Sequence, residues 1–324
     1  MNRFFLVLIV TLLVVGLSSA SAIGQTAISV FDIEPGVRAL GIGGAAGALA
    51  DGPETLYYNA AGLAELTGIG FTSSYTFHLG VAGYSALAVA SRYWGVGLLT
   101  LNSGNIPGYD ADGNSTDNLT YGNSAVLLGF GIDPQQLPFI PTLPIDFRAG
   151  GRLKYLSVRN GNTNGSGFAL DLAYRMDFPA MRVGPIAFSD IALGATATNV
   201  IGRVTYDGYR ESFRMDLRVG GSARVARLVL LCADLELGGS FHVGTEYWPT
   251  EALALRAGVL TEPGATSLTI GLGFRVEGFV IDYAFISHPT LSGSHRLSLT
   301  IDFSTFDLGV FGRLANSFRR MLPF

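Results

Sequence analysis

The sequence predicts an all-β fold, a transmembrane antiparallel β-barrel of about fourteen strands, and three observations carry that expectation. Charged residues make up only 14% of the chain and mean hydropathy is +0.38, whereas ordinary soluble domains carry roughly 25% charge. Beyond the N-terminus no apolar run reaches the roughly 20 residues that a spanning helix needs. From Gly68 onward, segments of roughly ten residues alternate apolar with polar or small side chains and end in turns rich in Gly, Asn, Asp or Pro. A soluble sandwich also alternates, with its charged face outside, but it does not usually sustain that pattern over so many strands at so low a charge. Apolarity without spanning helices leaves the closed barrel, whose backbone groups are all paired within the ring.

Residues 1–22 have the three parts of a secretory signal. Arg3 supplies the charge, Phe4 to Leu17 an unbroken apolar run, and Ala20-Ser21-Ala22 the small-residue cleavage site. The competing reading, an uncleaved anchor, is disfavoured by that site. No Cys follows the run, so lipoprotein processing is not expected, and the mature chain is expected to begin near Ile23 in the outer membrane of a Gram-negative-type cell. A formal net charge of −4 argues against nucleic acid as a partner. Cys232 is the only cysteine, so no internal disulfide can form.

The clearest strand is His295 to Phe303. Leu297, Leu299, Ile301 and Phe303 share one face, and Arg296, Ser298, Thr300 and Asp302 the other. Side chains alternate with period two, so one register sends all four apolar groups to lipid. The same division recurs where Leu153 and Tyr155 oppose Arg148, Arg152 and Lys154; where Phe168, Leu170 and Leu172 oppose Asp171; where Phe213, Met215, Leu217 and Val219 oppose Arg214, Asp216 and Arg218; and where Ile281 and Tyr283 oppose Asp282. The predicted strands are 67–77, 82–91, 93–101, 123–131, 147–158, 167–176, 186–199, 212–223, 227–236, 240–248, 252–260, 267–275, 279–285 and 295–303. Fourteen is even, as a single-chain bacterial barrel requires. Connections around Arg92, 224–226, 249–251 and 276–278 are tight, as periplasmic turns should be. Those at 133–146 and 177–185 are longer than that rule expects. Outward connections include polar loops at 102–122 and 201–211.

Residues 23–66 do not alternate. Arg38 to Ala50 is small or aliphatic apart from Arg38 and reads as a compact helix or tight coil. Such a segment lets backbones approach closely, as a narrow lumen demands. Asp51-Gly52-Pro53 breaks it, and Leu56 to Leu66 reads as a turn and short helix with Asn59 near its start. The run GVRALGIGGAAGALADGPETLYYNAAGLAEL, residues 36–66, resembles the N-terminal signature of the PorV/PorQ family within the FadL-like outer-membrane barrels. Residues 281–303 resemble that family's last hairpin. The family pattern Asn-Pro-Ala-Gly is Asn59-Ala60-Ala61-Gly62 here. The resemblance implies a fourteen-stranded barrel (67–303) whose N-terminal segment (23–66) sits in the lumen as a plug, with Gly36, Arg38, Gly41, Gly43, Gly44, Asp51, Asn59 and Gly62 as its motif. It also implies a role in protein export of the type IX kind, with secreted cargo or secretion-system proteins as partners. FadL-like members instead imply uptake of small hydrophobic molecules. A third reading is a structural barrel that anchors a surface or periplasmic assembly.

Other candidate sites divide between functional and plain readings. Arg148, Arg152, Arg214, Arg218 and Arg296 could contact an anionic ligand. Their near balance with Asp171, Asp216, Asp282 and neighbouring acids favours mutual pairing that locks lumen and plug. Asp110, Asp112 and Asn114 place oxygen ligands at alternate positions, which suits Ca²⁺. Ser115 and Tyr121 stand where an EF-hand loop needs Gly and an acid, so a solvated polar loop is the stronger reading. The four histidines match no metal spacing, no nucleophile elbow is present, and no enzyme activity or cofactor is expected. Residues 304–324 place Phe311, Leu314, Phe318 and Met321 at helical spacing beside Arg313, Arg319 and Arg320. An amphipathic helix of that kind suits the membrane interface or a partner groove.

Overall fold

The computed structural model describes residues 29–305, apart from 79–81, 105, 111, 137–145, 162, 208 and 291. The expected signal peptide and amphipathic tail lie outside the described residues.

The strands in chain order are β1 (Gly70–His78), β2 (Ala82–Ser91), β3 (Trp94–Ser103), β4 (Ile106–Tyr109), β5 (Ser115–Leu119), β6 (Tyr121–Ile132), β7 (Asp146–Asn160), β8 (Thr163–Phe178) and β9 (Met181–Val183). They continue as β10 (Ile186–Tyr206), β11 (Tyr209–Ser212), β12 (Asp216–Val225), β13 (Val229–Glu236), β14 (Phe241–Tyr247), β15 (Leu253–Glu262), β16 (Ala265–Val276), β17 (Phe279–Ile286) and β18 (Ser294–Asp302). Fourteen of them, all but β4, β5, β9 and β11, form a closed antiparallel ring in which β8 pairs β10 and β18 returns to β1. Closure removes the unpaired edges that an open sheet of this apolarity would expose to aggregation. No described helix is long and apolar enough to cross a membrane.

Burial separates the two faces as the alternation requires. On β18, Leu297 is 56% exposed while its neighbours Arg296 and Ser298 are 7% and 2% exposed. Leu153, Phe168, Ile270, Leu272 and Ile281 are likewise exposed, and Asp171 and Asp282 buried. Exposed leucines and buried charges invert a soluble protein. The apolar exterior is the face that lipid covers.

Three parts of the chain depart from the sequence reading. The polar loop 102–122 contains the β4–β5 hairpin, and the expected loop 201–211 is an extension of β10 paired with β11. Phe213, expected on the lipid face, instead meets Phe31 edge-on at 5.7 Å between ring centroids. Residues 213–215 lie outside the strand ladder, between β11 and β12, so alternation does not set the direction of Phe213. On its β8 side β10 carries two extra residues between Ala197 and Ile201, around Asn199 at φ +54, an irregularity that bends the strand locally.

The segment ahead of β1 folds into a short helix, Val37–Gly41, a second, Thr55–Tyr58, and a 3₁₀ turn, Ala60–Glu65. Of the compact helix or tight coil expected over residues 38–50, the structure has a short helix, Val37–Gly41, followed by coil. Asn59 caps the 3₁₀ turn, its Oδ1 accepting from the Ala61 amide at 3.1 Å. Most of this segment is buried, Val37, Ile42, Leu56, Ala61 and Leu63 completely.

Candidate functional site

The lumen is shaped by inward-facing glycines. A Cβ on Gly244 would run into the Ile42 carbonyl, one on Gly258 into the Gly43 amide, and one on Gly194 into the Gly47 carbonyl. Gly131 and Gly150 do the same for Ala60 and its neighbours, and Gly271 for Gly41. The N-terminal segment therefore lies backbone against backbone on β6, β7, β10 and β14–β16. Its own glycines answer those of the wall: Gly43 and Gly44, at φ +72 and +79, turn the chain where a side chain would strike Val243, Val259 or His242. Gly62 packs beneath Thr55 and Ala50 in the same way.

Buried ion pairs tie the segment to the same walls. Arg38 makes a two-bond fork with Glu246, at 2.8 and 3.0 Å, and reaches Asp51 at 2.6 Å. Arg256 links Glu246, at 2.8 Å, to Asp282, at 2.7 Å. Asp171 takes both Arg152 and Lys154, each at 2.7 Å, and Arg152 also donates to the Leu56 carbonyl at 2.8 Å. Arg218 binds Glu236, Glu34 and the Gly44 carbonyl, while the His242 ring bonds the Gly43 carbonyl at 2.8 Å. Arg175 holds Glu65 at 2.9 Å and the Ala48 carbonyl. Asn59 donates to the Gly47 and Tyr174 carbonyls at 2.8 and 2.9 Å.

Two cavities stand out among the described residues. One, of about 570 Å³, opens toward the long loops and is lined by Phe31, Tyr57, Tyr58, Leu99 and Leu127 on its apolar parts. Its polar lining includes Arg152, Lys154, Arg214, Arg218, His242 and Arg296. The other, of about 480 Å³, opens toward the short turns and is lined by Arg38, Asp51, Glu54, Trp248, Arg275 and Asp302. Glu54 is shielded from water and lies near Asp282, which together push its carboxyl up to about 7 against the opposing pull of Arg38 and Arg256.

The residues singled out in the sequence thus fall into three groups. Arg38, Gly41, Gly43, Gly44 and Asn59 are in the segment–wall contact, Gly36 and Gly62 pack within the segment against Tyr58 and Thr55, and Asp51 is exposed beside Arg38. Arg152, Asp171, Arg218, Asp282 and Arg296 face the lumen, whereas Arg148 pairs with Asp146 and Asp133 at the turn end. Arg214 and Asp216 line the loop-end cavity, and no ion pair of either is found among the described residues. At the tip of the β4–β5 hairpin, Asp110 Oδ1 accepts from the Asp112 and Asn114 amides and Oδ2 from the Asn114 side chain. Its carboxylate is thus already used in closing the turn, and no cluster of metal-ligating side chains occurs among the described residues. Sequence reasoning passed over the wall glycines. Their signal was glycine recurring on the inward register of strands whose outward register is Leu, Val or Ile.

No protein-family model matches the chain, and no curated protein matches it. Solved structures share its fold. The toluene transporter TodX of Pseudomonas putida superimposes with a TM-score of 0.51 at 13% identity, over 85% of this chain and 98% of that one. A FadL homologue of Pseudomonas aeruginosa gives 0.50 at 10% identity, over 83% and 98%. At such identity the likeness is one of fold alone.

Proposed function

We propose that this protein is an outer-membrane channel that admits small hydrophobic or amphipathic molecules, with the N-terminal segment as its plug. The observation that carries the reading is the loop-end cavity. Its volume falls in the range of roughly 300–1,000 Å³ typical of small-molecule sites, and aromatic and aliphatic walls meet charged side chains of both signs there. A lumen filled entirely by ion pairs would have left no room for a solute. The apolar exterior supports insertion in a bilayer, with the long loops outward and the short turns toward the periplasm. The likeness to a toluene transporter supports the channel reading over the export reading, which rests on the resemblance of residues 36–66 and 281–303. No catalytic step is assigned.

Uptake of radiolabelled toluene and octanoate by Gram-negative cells producing the chain tests this. Uptake is expected to rise over cells lacking it, with sucrose entry unchanged. No gain in cells whose outer membrane holds the heat-modifiable protein would overturn the reading. Recovery of a secreted protein bound to the chain in mild detergent would favour export instead.

A further inference from the structure

At the loop end, the exterior of the barrel changes character on one set of strands. Beyond Thr198, where its pairing with β12 ends, β10 runs on to Tyr206 and takes β11 as its neighbour. Side chains directly opposite one another share a face, so the registers of β7, β8, β10 and β11 stack the outward side chains in rows. The row nearest the middle of the barrel is Leu153, Leu170 and Ile201. Next come Tyr155, Phe168 and Arg203, then Ser166, Thr205 and Arg210, and last Arg159. Tyr155 and Phe168 are 54% and 41% exposed, while the alternate positions Leu156, Val158 and Val204 are buried. At about 3.3 Å per residue the rows from Leu153 to Arg159 cover about 20 Å. Over that height the surface passes from aliphatic through aromatic to hydroxyl and guanidinium. The same order is found across a membrane boundary, where an aromatic girdle separates the hydrocarbon from the head groups.

The three arginines set this face apart. Among the described residues of the other ring strands, none carries Arg, Lys, Asp or Glu on the outward register of its loop-end half. The lumen arginines Arg38, Arg152, Arg175, Arg218 and Arg256 each hold a carboxylate. Arg159, Arg203 and Arg210 are exposed, and none of them has an ion pair among the described residues. Of the nearby acids, Glu211 lies opposite Val204 and so on the inward face, and Asp207 is at the hairpin tip. The Arg203 guanidinium stands 5.4 Å from the centroid of the Phe168 ring. Stacking there keeps its stem on the apolar surface and leaves its N–H groups to bond an anion. Arg203 and Arg210 are one strand and one row apart, about 8 Å between Cα atoms. Both can therefore converge on one phosphate, which arginine grips by paired bonds. Arg159, about 16 Å from Arg203 by the same spacings, is placed for a second.

We propose that this face holds the phosphorylated head of an anionic glycolipid in the outer leaflet. Arg203 and Arg210 bind one phosphate and Arg159 another, the Ser166 and Thr205 hydroxyls bond the sugar, and the acyl chains lie on Leu153, Leu170 and Ile201. Charge selects the anion, and continuity with the lipid-covered exterior selects one that carries acyl chains. The inference rests on the orientation with the long loops outward, not on transport.

The test titrates the purified full chain, delipidated in dodecyl maltoside, with bisphosphorylated lipid A and follows bound lipid by native mass spectrometry. The parent is expected to retain a lipid A molecule and to bind its dephosphorylated form at least about tenfold more weakly. Arg203→Gln combined with Arg210→Gln should weaken binding about thirtyfold, and Arg159→Gln about fivefold, from the usual contribution of an arginine at an anionic surface. Arg92→Gln, on a turn at the opposite end, should change nothing. Equal binding of the dephosphorylated lipid, or parental affinity in a heat-modifiable double variant, would overturn the proposal. So would displacement of the lipid by millimolar inorganic phosphate, which would mark a site for the free anion. A dimer that binds no lipid A and dissociates in the double variant would give the face to a second copy and overturn it as well. Toluene uptake by a chain that ignores lipid A keeps the channel reading and loses this one. Lipid A binding without uptake does the reverse.

Discussion

The two sides of the lumen close by different physics. On β6, β7, β10 and β14–β16 the backbone of the N-terminal segment rests on wall glycines and is locked by buried ion pairs centred on Glu246 and Asp171. On β1 and β18 it touches hydroxyls and one arginine. Two hydrogen bonds, from Arg296 to the Glu34 carbonyl and from Ser74 to the Pro35 carbonyl, hold a three-residue crossing, Glu34-Pro35-Gly36. A backbone seated on glycine has no side chain to move aside, so that seal is permanent while the barrel stands. A seal made of hydrogen bonds is revocable, because each bond can be exchanged for another at small net cost. The contrast places rigidity and mobility in one short segment.

That contrast can be broken from its rigid side. Glu246→Ala leaves Arg38 and Arg256 buried without their shared carboxylate, a loss of about 3–5 kcal/mol. The expected result is a barrel that loses heat-resistant migration or unfolds at markedly lower denaturant. Stability close to the parent would mean the lock is not structural. Gly244→Val should cost about 1–3 kcal/mol by overpacking against the Ile42 carbonyl, whereas Ser298→Val on the opposite wall, which removes a hydroxyl with no partner among the described residues, should unfold at nearly the parent's denaturant concentration. Equal penalties at the two positions would erase the difference between the walls.

Two smaller effects sharpen it. Asn59→Ala removes the cap on Ala61 and two bonds to carbonyls, about 1–2 kcal/mol, and should speed hydrogen exchange of residues 59–65 before that of the strands. The last effect follows pH. Burial lifts Glu54 from its ordinary 4.5 to about 7, so the folded N-terminal segment holds a proton that the unfolded chain releases. Support from this group is complete below about 4.5 and is lost as pH rises through about 7. Arg38, Asp51, Arg256, Asp282 and Tyr58 face it and remain in place. Exchange protection of residues 34–58 should therefore fall between pH 5 and 8 in the parent and stay flat in Glu54→Gln. A parental profile without slope would show Glu54 to be charged throughout.

Much of the wall was legible from the chain. The period-two rule located β2 at Ala82–Ser91 to the residue, but it did not hold around the start of β12, where Phe213 lies outside the ladder and turns toward Phe31 and Leu217 is only 6% exposed. Polar residues within loops concealed β4 and β5, since a hairpin exposed on both faces has no apolar face to announce it. Of the site, Arg152, Asp171, Arg218 and Asp282 could be assigned to the lumen from alternation, but not their partners. Arg38 and Glu246 stand 208 residues apart in sequence. No local pattern links them.

The sequence by itself indicated the barrel, a ring of about fourteen strands and its apolar outward face, because side-chain alternation and hydropathy are local properties that a single register propagates. It also marked residues 36–66 as a close-packing segment through small residues alone. Only the tertiary structure decided where that segment is fixed and where it is merely latched. Those properties depend on which strands the N-terminal segment crosses, and closure of the ring brings them together from opposite ends of the chain.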